Sequence, residues 1–533
     1  MKYNITESDK ESLLQTSIDY KYRLYVVDKN KNILDKIEGV QSIGEYNIDS
    51  QSDIRRTSSF ILQLDEFYKE KSLEKKIYSW IGYHFQLQIG IFNIRSNNYV
   101  WYDCGYYAIT STNTSYSSTT NRLSVSLSDW MVKLDGTHNG VIGGSPTITI
   151  PVEDENQNKT IIKQALIAFL KLSAEIKDYV VDDIGEFYAL PENNESWEQY
   201  RKENPEWNVL PYDLEFDGNA TILDIVKKLC GLYPNYQYYF DVYGNLCVSM
   251  IPSCSNSPII LENSYIQQIL LADNTESVNY DISSIKNITE VFGKIYEVDR
   301  MSVVCSTSSN IYTITLDSCE SYKSNEYIAF TPDTTNISNM KIRINSLDII
   351  PLYLEETTTY VDAGVIQKDN VYVIKIRKVD HNFVAYYLGQ YQPHAICVLT
   401  NNADDPVYTK QYFADKYNCN VKNIVFRVED SPFAIQKIGE ILDYKSGNEF
   451  DNIESDSVAQ ENAIYYNRKS TTFNDTVTIT THLIPFIDVY IKATYQRKQE
   501  QEPKEYIIKS VSHNLDSMSS TITMYRFYPL YYN

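Results

Sequence analysis

The sequence lacks the cysteine and histidine patterns with which proteins bind zinc or build catalytic centres. Its eight cysteines lie between Cys104 and Cys419 without a CxxC pair, and only six histidines are scattered over 533 residues. No HExxH, GxSxG or GxxxxGK[ST] sequence is present, so the usual signatures of zinc proteases, serine hydrolases and P-loop enzymes are missing. We therefore expect reduced, mostly buried thiols in a protein made in a cytoplasm, no enzyme activity, no metal ion and no cofactor.

Long apolar runs and a surplus of basic residues are also lacking. The longest apolar-rich stretch, 165–172, is interrupted by Lys171 and is too short to span a bilayer. The first residues do not combine a basic segment with an apolar one, so we predict no signal peptide. With 48 Lys and Arg against 70 Asp and Glu, the net charge of −22 disfavours non-specific nucleic-acid binding and anionic membranes.

Paired carboxylates are present, but their spacing favours solvated loops. A glycosidase needs two carboxyl groups that face each other across a cleft, and neighbours in sequence do not show this. The stretch 401–405 lacks the ligand spacing of an EF-hand calcium loop. The adjacent carboxylates are Glu153 to Glu155, Asp182 and Asp183, Glu355 and Glu356, and Asp404 and Asp405.

Tyrosine is the residue in excess, with 47 Tyr against 18 Phe and 5 Trp. Tyrosine suits strands and interfaces that are apolar on one side and wet on the other, although an AT-rich coding genome would also produce the excess. Aromatic clusters on predicted strands favour a barrel core and subunit contacts over a sugar-binding platform. The predicted interface residues are Trp101, Trp130, Tyr238, Phe240, Phe486, Phe527, Tyr528, Leu530 and Tyr531.

The chain is long enough for three to four domains, and its first 150 residues read as strands. Residues 84–91 alternate between apolar and polar positions, which predicts a strand with one wet face. The stretch 99–111 is predicted to form a hairpin around Cys104 and Gly105. Several short strands at this spacing indicate a small antiparallel barrel or sandwich over residues 1–150.

Helical spacing then predicts an α/β module over residues 151–255. One helix covers 161–170, a long loop covers 186–212, and a second helix begins near Thr221 with Asp224 in its first turn. Gly231 is predicted to end that helix in a left-handed conformation. A hairpin with a turn at Gly244 and Asn245 follows.

Strand patterns continue over 256–300 and 470–533. Residues 301–469 are predicted to form a β-rich inserted domain with a helix near 457–467. The predicted fold class is therefore mainly β with an α/β module. No internal repeat is strong enough to recognise from the sequence, although the N- and C-terminal segments could share a fold.

Two stretches resemble the baseplate hub proteins of bacteriophage tails and related contractile injection systems. One runs from Ile222 to Pro252 and contains a helix followed by a hairpin with the sequence YYFDVYGN. The other is the C-terminal third, with NIESDSVA at 452–459, IPFIDV at 484–489, YIIKSVS at 506–512 and FYPLY at 527–531. Arg55-Arg56-Thr57 and Trp130-Met131-Val132 fit the same resemblance, which residues 301–430 match least.

The resemblance implies a homotrimer at the tip of a phage tail, assembled in the host cytoplasm. Each subunit of such hubs has two barrels similar to tail-tube subunits, which the resemblance assigns here to residues 1–150 and to 256–300 joined with 470–533. Three copies then make a pseudo-six-membered ring. That ring joins a tail tube or distal tail protein above to a spike or tail-tip protein below. DNA passes through the lumen without sequence-specific binding, and no membrane segment is implied.

Two other readings stay open at this stage. A tail-associated cell-wall hydrolase using residues 301–430 predicts turnover of peptidoglycan. A carbohydrate-binding adhesin using the tyrosine-rich strands predicts binding of the isolated protein to host glycans. Because the sequence ends at Asn533, soon after the last predicted strand, we expect no hydrolase domain there.

Overall fold

The computed structural model describes most of the chain. The described residues are 5–15, 17–37, 40–63, 82–117, 121–154, 158–172, 176–186, 196–210, 213–233, 235–252, 257–271, 276–281, 283–302, 304–317, 319–354, 357–368, 370–447, 450–451, 453, 456–471 and 474–526. The fold is mainly β, with 43% strand and 16% helix and a nearly closed barrel, as the sequence predicts. The chain divides into unit 1, residues 1–282 and 473–533, and unit 2, residues 283–472.

Unit 1 begins with one short helix and eight strands. They are α1 (Glu7–Ser12), β1 (Tyr20–Val27), β2 (Ile33–Lys36), β3 (Val40–Ile43), β4 (Glu45–Asp49), β5 (Arg56–Gln63), β6 (His84–Asn93), β7 (Asn98–Tyr116) and β8 (Asn121–Asp129). We call β1 to β8 the N-terminal half-sheet. The apolar side chains of β6 alternate inward, with Phe85, Leu87, Ile89 and Ile91 at most 1% exposed.

The predicted hairpin around Gly105 is wrong, because residues 98–116 form the single strand β7. The pairing between β6 and β7 shifts at this point, with Leu87 opposite Gly105 and Gln88 opposite Asp103. The φ angle of Gly105 is +121°, which side chains other than glycine rarely adopt. Glycine therefore marks a β-bulge that keeps the strand continuous, where the sequence suggested a turn.

A short 3₁₀ turn (Trp130–Lys133) leads into the α/β module of unit 1. Its elements are β9 (Thr147–Ile150), α2 (Ile162–Leu170), β10 (Tyr179–Val181), α3 (Trp197–Glu203), β11 (Leu214–Asp217), α4 (Ile222–Gly231), β12 (Tyr236–Phe240) and β13 (Leu246–Met250). The predicted loop over 186–212 thus contains α3, and parts of that stretch lie outside the described residues. The predicted hairpin is confirmed as β12 and β13, which pair from Tyr236 opposite Met250 to Phe240 opposite Leu246.

Helix α4 begins with a capping box, as the sequence predicts in part. The Thr221 hydroxyl accepts a hydrogen bond from the Asp224 amide at 3.1 Å, and the Asp224 carboxylate accepts one from the Thr221 amide at 2.9 Å. The prediction for Gly231 is wrong, because Gly231 is the last helical residue and Leu232 follows with a φ of −60°. The helix therefore ends without a left-handed residue.

Unit 1 is completed by β14 (Ile259–Leu261), α5 (Asn263–Ile269) and β15 (Ser277–Asp281), and later by four C-terminal strands. Between them lies unit 2, with β16 (Ile288–Phe292), β17 (Arg300–Ser302), β18 (Cys305–Ser308), β19 (Ile311–Ile314), β20 (Glu326–Phe330), β21 (Lys341–Ile344), β22 (Ile350–Leu354), β23 (Tyr372–Val379), β24 (Asn382–Gln390), β25 (His394–Thr400), α6 (Lys410–Tyr417), a 3₁₀ turn (Val421–Asn423), β26 (Ile424–Val428), α7 (Ile435–Ile438), β27 (Leu442–Lys445) and α8 (Asp456–Ser470). The C-terminal strands are β28 (Asn474–His482), β29 (Lys492–Tyr495), β30 (Lys504–Asn514) and β31 (Ser519–Arg526).

Unit 2 contains two sheets where the sequence predicted one β-rich region. Strands β17 to β24 form an eight-stranded sheet whose terminal strands, β17 and β18, are consecutive in the chain, so the sheet returns on itself. Strands β16, β25, β26 and β27 form a mixed sheet with α8 against it. The assignment of residues 283–300 to the second barrel differs from the structure, because β16 pairs with β25 and β27 inside unit 2.

Strands β14, β15 and β28 to β31 make up the C-terminal half-sheet, which joins the N-terminal half-sheet in one 14-stranded sheet. Two apolar cores lie against the sheet, one built mostly from residues of the N-terminal half-sheet and the other mostly from residues of the C-terminal half. The two halves repeat one strand order, β4-β5-β8-β7-β6-β1 in the first and β15-β28-β31-β30-β29-β14 in the second. All neighbours in these orders are antiparallel except β14 and β29, which are parallel. The shared fold that the sequence left open is therefore visible as a repeated topology.

Candidate functional site at the junction of the half-sheets

The two half-sheets meet where β4 pairs with β30. The pairing is antiparallel and runs from Asp49 opposite Ser510 to Glu45 opposite Asn514. Tyr46 and His513 stack across it with ring centroids 5.0 Å apart, and both side chains are buried. The joint thus continues the sheet without a break and fills the interior on its inner face.

His513 is held in this joint as a neutral ring. Its Nδ1 atom lies 2.7 Å from the Ser520 hydroxyl on β31. Burial lowers the pKa of His513 from 6.5 to about 3, and the charge of Asp488 offsets only part of that effect. At neutral pH the ring therefore serves as a packed, hydrogen-bonded element and carries no charge.

Arg56 connects three parts of unit 1 at the same junction. Its guanidinium donates to the backbone oxygen of Phe240 on β12 at 2.5 Å and to both carboxylate oxygens of Asp488 at 3.0 and 3.1 Å. The side chain is about 1% exposed. Burial lowers the pKa of Arg56 more than any single neighbour raises it, but Asp488, Tyr46, Tyr107 and Asp129 together outweigh burial, so the pKa lies above its ordinary value. Arg56 and Asp488 therefore form a buried ion pair in which both carboxylate oxygens accept a hydrogen bond.

Asp129 fixes the backbone beside this ion pair. One carboxylate oxygen accepts from the Arg56 amide at 2.9 Å, and the other accepts from the Met131 amide at 3.1 Å. Asp129 thereby caps the 3₁₀ turn that starts at Trp130. Burial raises its pKa, although these hydrogen bonds act in the opposite direction.

The α/β module is attached to the N-terminal half-sheet through neighbouring contacts. Arg55 donates to the Gln237 side chain at 2.9 Å and lies 4.2 Å from the centroid of the Tyr239 ring. The Tyr238 hydroxyl donates to Asp53 at 2.5 Å, and Lys227 pairs with Asp53 at 2.6 Å. These contacts give the module a fixed position on the half-sheet.

Most of the predicted interface residues that the structure describes lie in the interior of unit 1. Trp130 is 2% exposed, and Phe240 and Phe486 are each 1% exposed, so these three pack inside one chain. Trp101 and Tyr238 are half-buried and retain surface, so an interface role stays a prediction for them. Phe527, Tyr528, Leu530 and Tyr531 lie outside the described residues.

The pair of Arg56 and Asp488 is not among the predicted site residues, although both residues belong to the motifs that carry the resemblance. Arg56 belongs to Arg55-Arg56-Thr57, and Asp488 belongs to IPFIDV at 484–489. A charged residue inside an apolar motif, such as Asp488 in IPFIDV, indicates a buried ion pair, because a buried charge needs a partner. The sequence does not say which of the 48 Lys and Arg residues pairs with Asp488.

On the outer face of the N-terminal half-sheet, the ring of Trp101 is covered, which argues against its use as a sugar-binding platform. Trp101 lies across Gly90, where an added Cβ atom would come within 2.9 Å of the indole ring. The Arg23 guanidinium covers the ring as well, 3.5 Å from its centroid. A sugar platform needs an open aromatic face, and Trp101 already packs against both of these neighbours.

The described residues also bear on the hydrolase alternative. Within the described ranges, no group of three or more His, Cys, Asp or Glu side chains could hold a metal ion. Burial raises the pKa of Cys305 and Cys397 to about 12, which keeps both thiols protonated and weakly nucleophilic. Asp405 accepts hydrogen bonds from the amides of Val407 and Tyr408, so it serves as a loop cap.

One cavity of about 520 Å³ in unit 2 is lined by the carboxylates Glu297 and Asp299, together with Lys294, Tyr296, Val298 and Tyr327. Asp299 accepts a hydrogen bond from the Tyr327 amide at 2.8 Å. That contact gives this carboxylate a structural role.

Across the described part of the chain, no helix is long and apolar enough to cross a membrane.

Comparison with family models finds a match in the C-terminal part of the chain. Residues 430–531 match a domain of unknown function, DUF5048. These residues include β27, α8 and the four C-terminal strands of unit 1. A search of curated proteins returned no match.

Along nearly its whole length the chain is similar to phage tail proteins of solved structure. The 43 kDa tail protein of prophage MuSo2 from Shewanella oneidensis is 8% identical, with a TM-score of 0.45 and coverage of 96% of this chain and 100% of that one. A tail protein from Neisseria meningitidis MC58 is 8% identical, with a TM-score of 0.46 and coverage of 96% and 98%. Prophage tail protein gp18 from Listeria monocytogenes EGD-e is 8% identical, with a TM-score of 0.38 and coverage of 94% of both chains.

Proposed function

We propose that this chain is a non-enzymatic structural protein of a phage tail, a hub that closes into a homotrimeric ring at the tail tip. The observation that carries the proposal is the repeated strand order of the two half-sheets, which are joined edge to edge through β4 and β30. One chain thus supplies two equivalent ring elements. Three chains supply six, which matches a six-fold tail tube on one face and a three-fold spike on the other.

The buried contacts around Arg56 support a role in which rigidity matters. An adaptor has to hold its two ring elements at a fixed angle, because cyclic closure fails when the angle between subunits varies. The stack of Tyr46 on His513 crosses from one half-sheet to the other, and the ion pair of Arg56 with Asp488 connects β5 with the segment between β28 and β29. The same contacts hold the α/β module in place through Phe240.

The net charge of −22 supports a lumen through which DNA passes without binding. Proteins bind the DNA backbone by neutralising phosphates with basic side chains, and this chain has a deficit of them. In the proposed ring, acidic residues line the lumen. A fluorescence anisotropy titration with double-stranded DNA at 50 mM salt is expected to show no binding, and a lumen rich in Lys and Arg would contradict this part of the proposal.

The mass of the purified protein in solution tests the ring itself. Light scattering after size exclusion, over a range of concentrations, is expected to give three times 61.8 kDa. Electron microscopy of the same fraction should show a ring of six similar lobes around a central channel. A protein that stays monomeric at every concentration, or a closed ring with another number of copies, would overturn the proposal.

A further inference from the structure

The repeat can be aligned residue by residue because each half-sheet has a β-bulge at the same place. The pairing of β7 with β8 shifts between Ile109 and Ser111, and that of β30 with β31 shifts between Ile508 and Ser510. On the other edge, β6 pairs with β7 only as far as Tyr107, and β29 pairs with β30 only as far as Ile507. In both cases the bulge lies just beyond this last pair. Ser111 therefore corresponds to Ser510.

The alignment extends through the neighbouring strands to β4 and β15. Counting along the pairs of β8 with β5 and of β31 with β28, Thr57 corresponds to Thr476. Asn47 pairs with Thr57, and Asn279 pairs with Thr476, so Asn47 corresponds to Asn279. The two five-residue strands then read EYNID and SVNYD, with Asn and Asp at the same places.

Beyond the bulge the two halves differ in one respect. Residues 510–514 of β30 have β31 on one edge and β4 on the other. Their counterparts on β7, residues 111–115, pair with β8 on one edge, and no strand of the described chain occupies the other. All residues from Thr110 to Tyr116 are exposed. Strand β15, the counterpart of β4, lies at the end of the sheet and pairs only with β28 among the described strands.

We propose that residues 111–115 of one copy pair in antiparallel fashion with β15 of the next copy and thereby form the joint between subunits. The inference rests on the proposed ring and identifies the edges that close it. The pairing of β30 with β4 inside one chain gives the register, because residues 111–115 correspond to 510–514 and β15 corresponds to β4. In this register Ser111 lies opposite Asp281, Asn113 opposite Asn279 and Thr114 opposite Val278 of the neighbour. The contact is heterologous, since two different edges meet, and such contacts close into rings when the rotation fits.

The chemistry of the two edges suits this partner. An unpaired strand edge presents a row of amide and carbonyl groups that can add another strand through main-chain hydrogen bonds. The side chains of residues 111–115 are Ser, Thr, Asn, Thr and Ser, which are small and place no charge on the edge. Thr112 and Thr114 are β-branched, which favours an extended backbone. Affinity then comes from backbone pairing repeated at three joints.

Disulfide cross-linking tests the register directly. The double variant Thr114→Cys with Val278→Cys should form intermolecular disulfides on mild oxidation, because directly opposed residues in antiparallel strands have Cα atoms about 4.5–5.5 Å apart. The expected products are covalent dimers and trimers on a denaturing gel, and reduction reverses them. The matched control Thr114→Cys with Asn279→Cys moves one cysteine to the opposite face of β15 and should cross-link at least tenfold less. Each single cysteine variant controls for the native cysteines.

A charge placed on the same edge gives an independent test. Thr114→Lys should raise the concentration of half-maximal assembly at least tenfold, because the joint would bury the ammonium group, while far-ultraviolet circular dichroism stays unchanged. Tyr116→Lys lies one residue beyond the joint at a position that is 85% exposed, and should leave assembly as it is. If the wild type is a trimer but neither the cross-link nor the effect of Thr114→Lys appears, the proposed pairing of residues 111–115 with β15 is wrong. The proposed homotrimeric ring is then still supported. A wild type that never assembles overturns the ring.

Discussion

Arg56 and Asp488 lie 432 residues apart in the chain and meet through two hydrogen bonds of 3.0 and 3.1 Å. Their ion pair is buried and connects β5 of the N-terminal half-sheet with the segment that precedes β29. Replacement of one partner leaves the other charge buried without compensation, which is more costly than the net value of the pair.

We expect Arg56→Met to lower the free energy of unfolding of unit 1 by about 3–5 kcal/mol. All five tryptophans of the chain lie in the sequence range of unit 1, so tryptophan fluorescence during urea unfolding reports on that unit. Arg95→Ala is the control, because its ion pair with Glu11 is 80% and 47% exposed and should contribute less than about 1 kcal/mol. Equal losses in the two variants would contradict a special role for the buried pair.

The buried histidine of the joint makes stability depend on pH. Unfolded histidine takes up a proton below about pH 6.5, whereas His513 in the folded protein does so only near pH 3. The unfolded state therefore binds more protons between these values, and stability falls as the pH is lowered through this range. At pH 4.5 one such histidine costs roughly 2–3 kcal/mol.

The variant His513→Gln isolates this contribution. It should lose less stability than the wild type between pH 7.5 and pH 4.5, whatever its stability at pH 7.5, because its side chain has no proton to take up. His84, whose pKa burial and Lys133 also lower to about 3, and the acidic groups contribute equally to both proteins. Urea unfolding at the two pH values measures the difference, and identical losses would show that His513 is protonated in the folded state.

Two glycines should respond to alanine in opposite directions. Gly231 is helical with no atom within 4 Å of an added Cβ, so Gly231→Ala is expected to stabilise unit 1 by about 0.5–1 kcal/mol. Gly218 packs so closely that an added Cβ would lie 2.0 Å from the backbone oxygen of Ser145. Gly218→Ala should therefore destabilise unit 1 by about 1–3 kcal/mol. Thermal unfolding of both variants gives the comparison, and a destabilising Gly231→Ala would indicate the left-handed helix end that the sequence suggested.

The capping box of α4 gives a further test of local structure. Thr221→Ala removes the hydroxyl that accepts from the Asp224 amide and should cost about 1 kcal/mol. Thr137→Ala, at an exposed position, controls for the loss of a threonine and should change stability by less than about 0.5 kcal/mol. The free energy of urea unfolding measures both, and equal effects would argue against the cap.

Local patterns predicted the elements whose cause is local. The capping residues of α4, the hairpin of β12 and β13 and the alternation of β6 all depend on residues within a few positions of one another. The bulge at Gly105 was misread because glycine serves turns and bulges alike. The repeat of the two half-sheets left no readable signal, since a barrel strand requires only alternating apolar positions and leaves the identity of each residue open.

The junction depends on contacts that no local window contains. Arg56 and Asp488 are 432 residues apart in the chain and are brought together only by the tertiary fold, and Tyr46 contacts His513 through the pairing of β4 with β30. Aromatic content suggested interface residues, but Trp130, Phe240 and Phe486 fill the interior, where large rings stabilise most through burial. Composition alone does not distinguish these two uses of an aromatic side chain.

Unit 2 occupies the connection between β15 and β28, and the corresponding connection between β4 and β5 is the short turn 50–55. Asp281 and Asn474, which flank the insertion, are directly opposed in the sheet. Closing a disordered loop of roughly 190 residues costs about 4–5 kcal/mol in chain entropy, whereas a folded insertion has its ends held close beforehand. Folding of unit 2 is therefore thermodynamically linked to the pairing of β15 with β28. A substitution that destabilises unit 2 would weaken this pairing and thus the position of β15, the strand that we propose to pair with the next subunit.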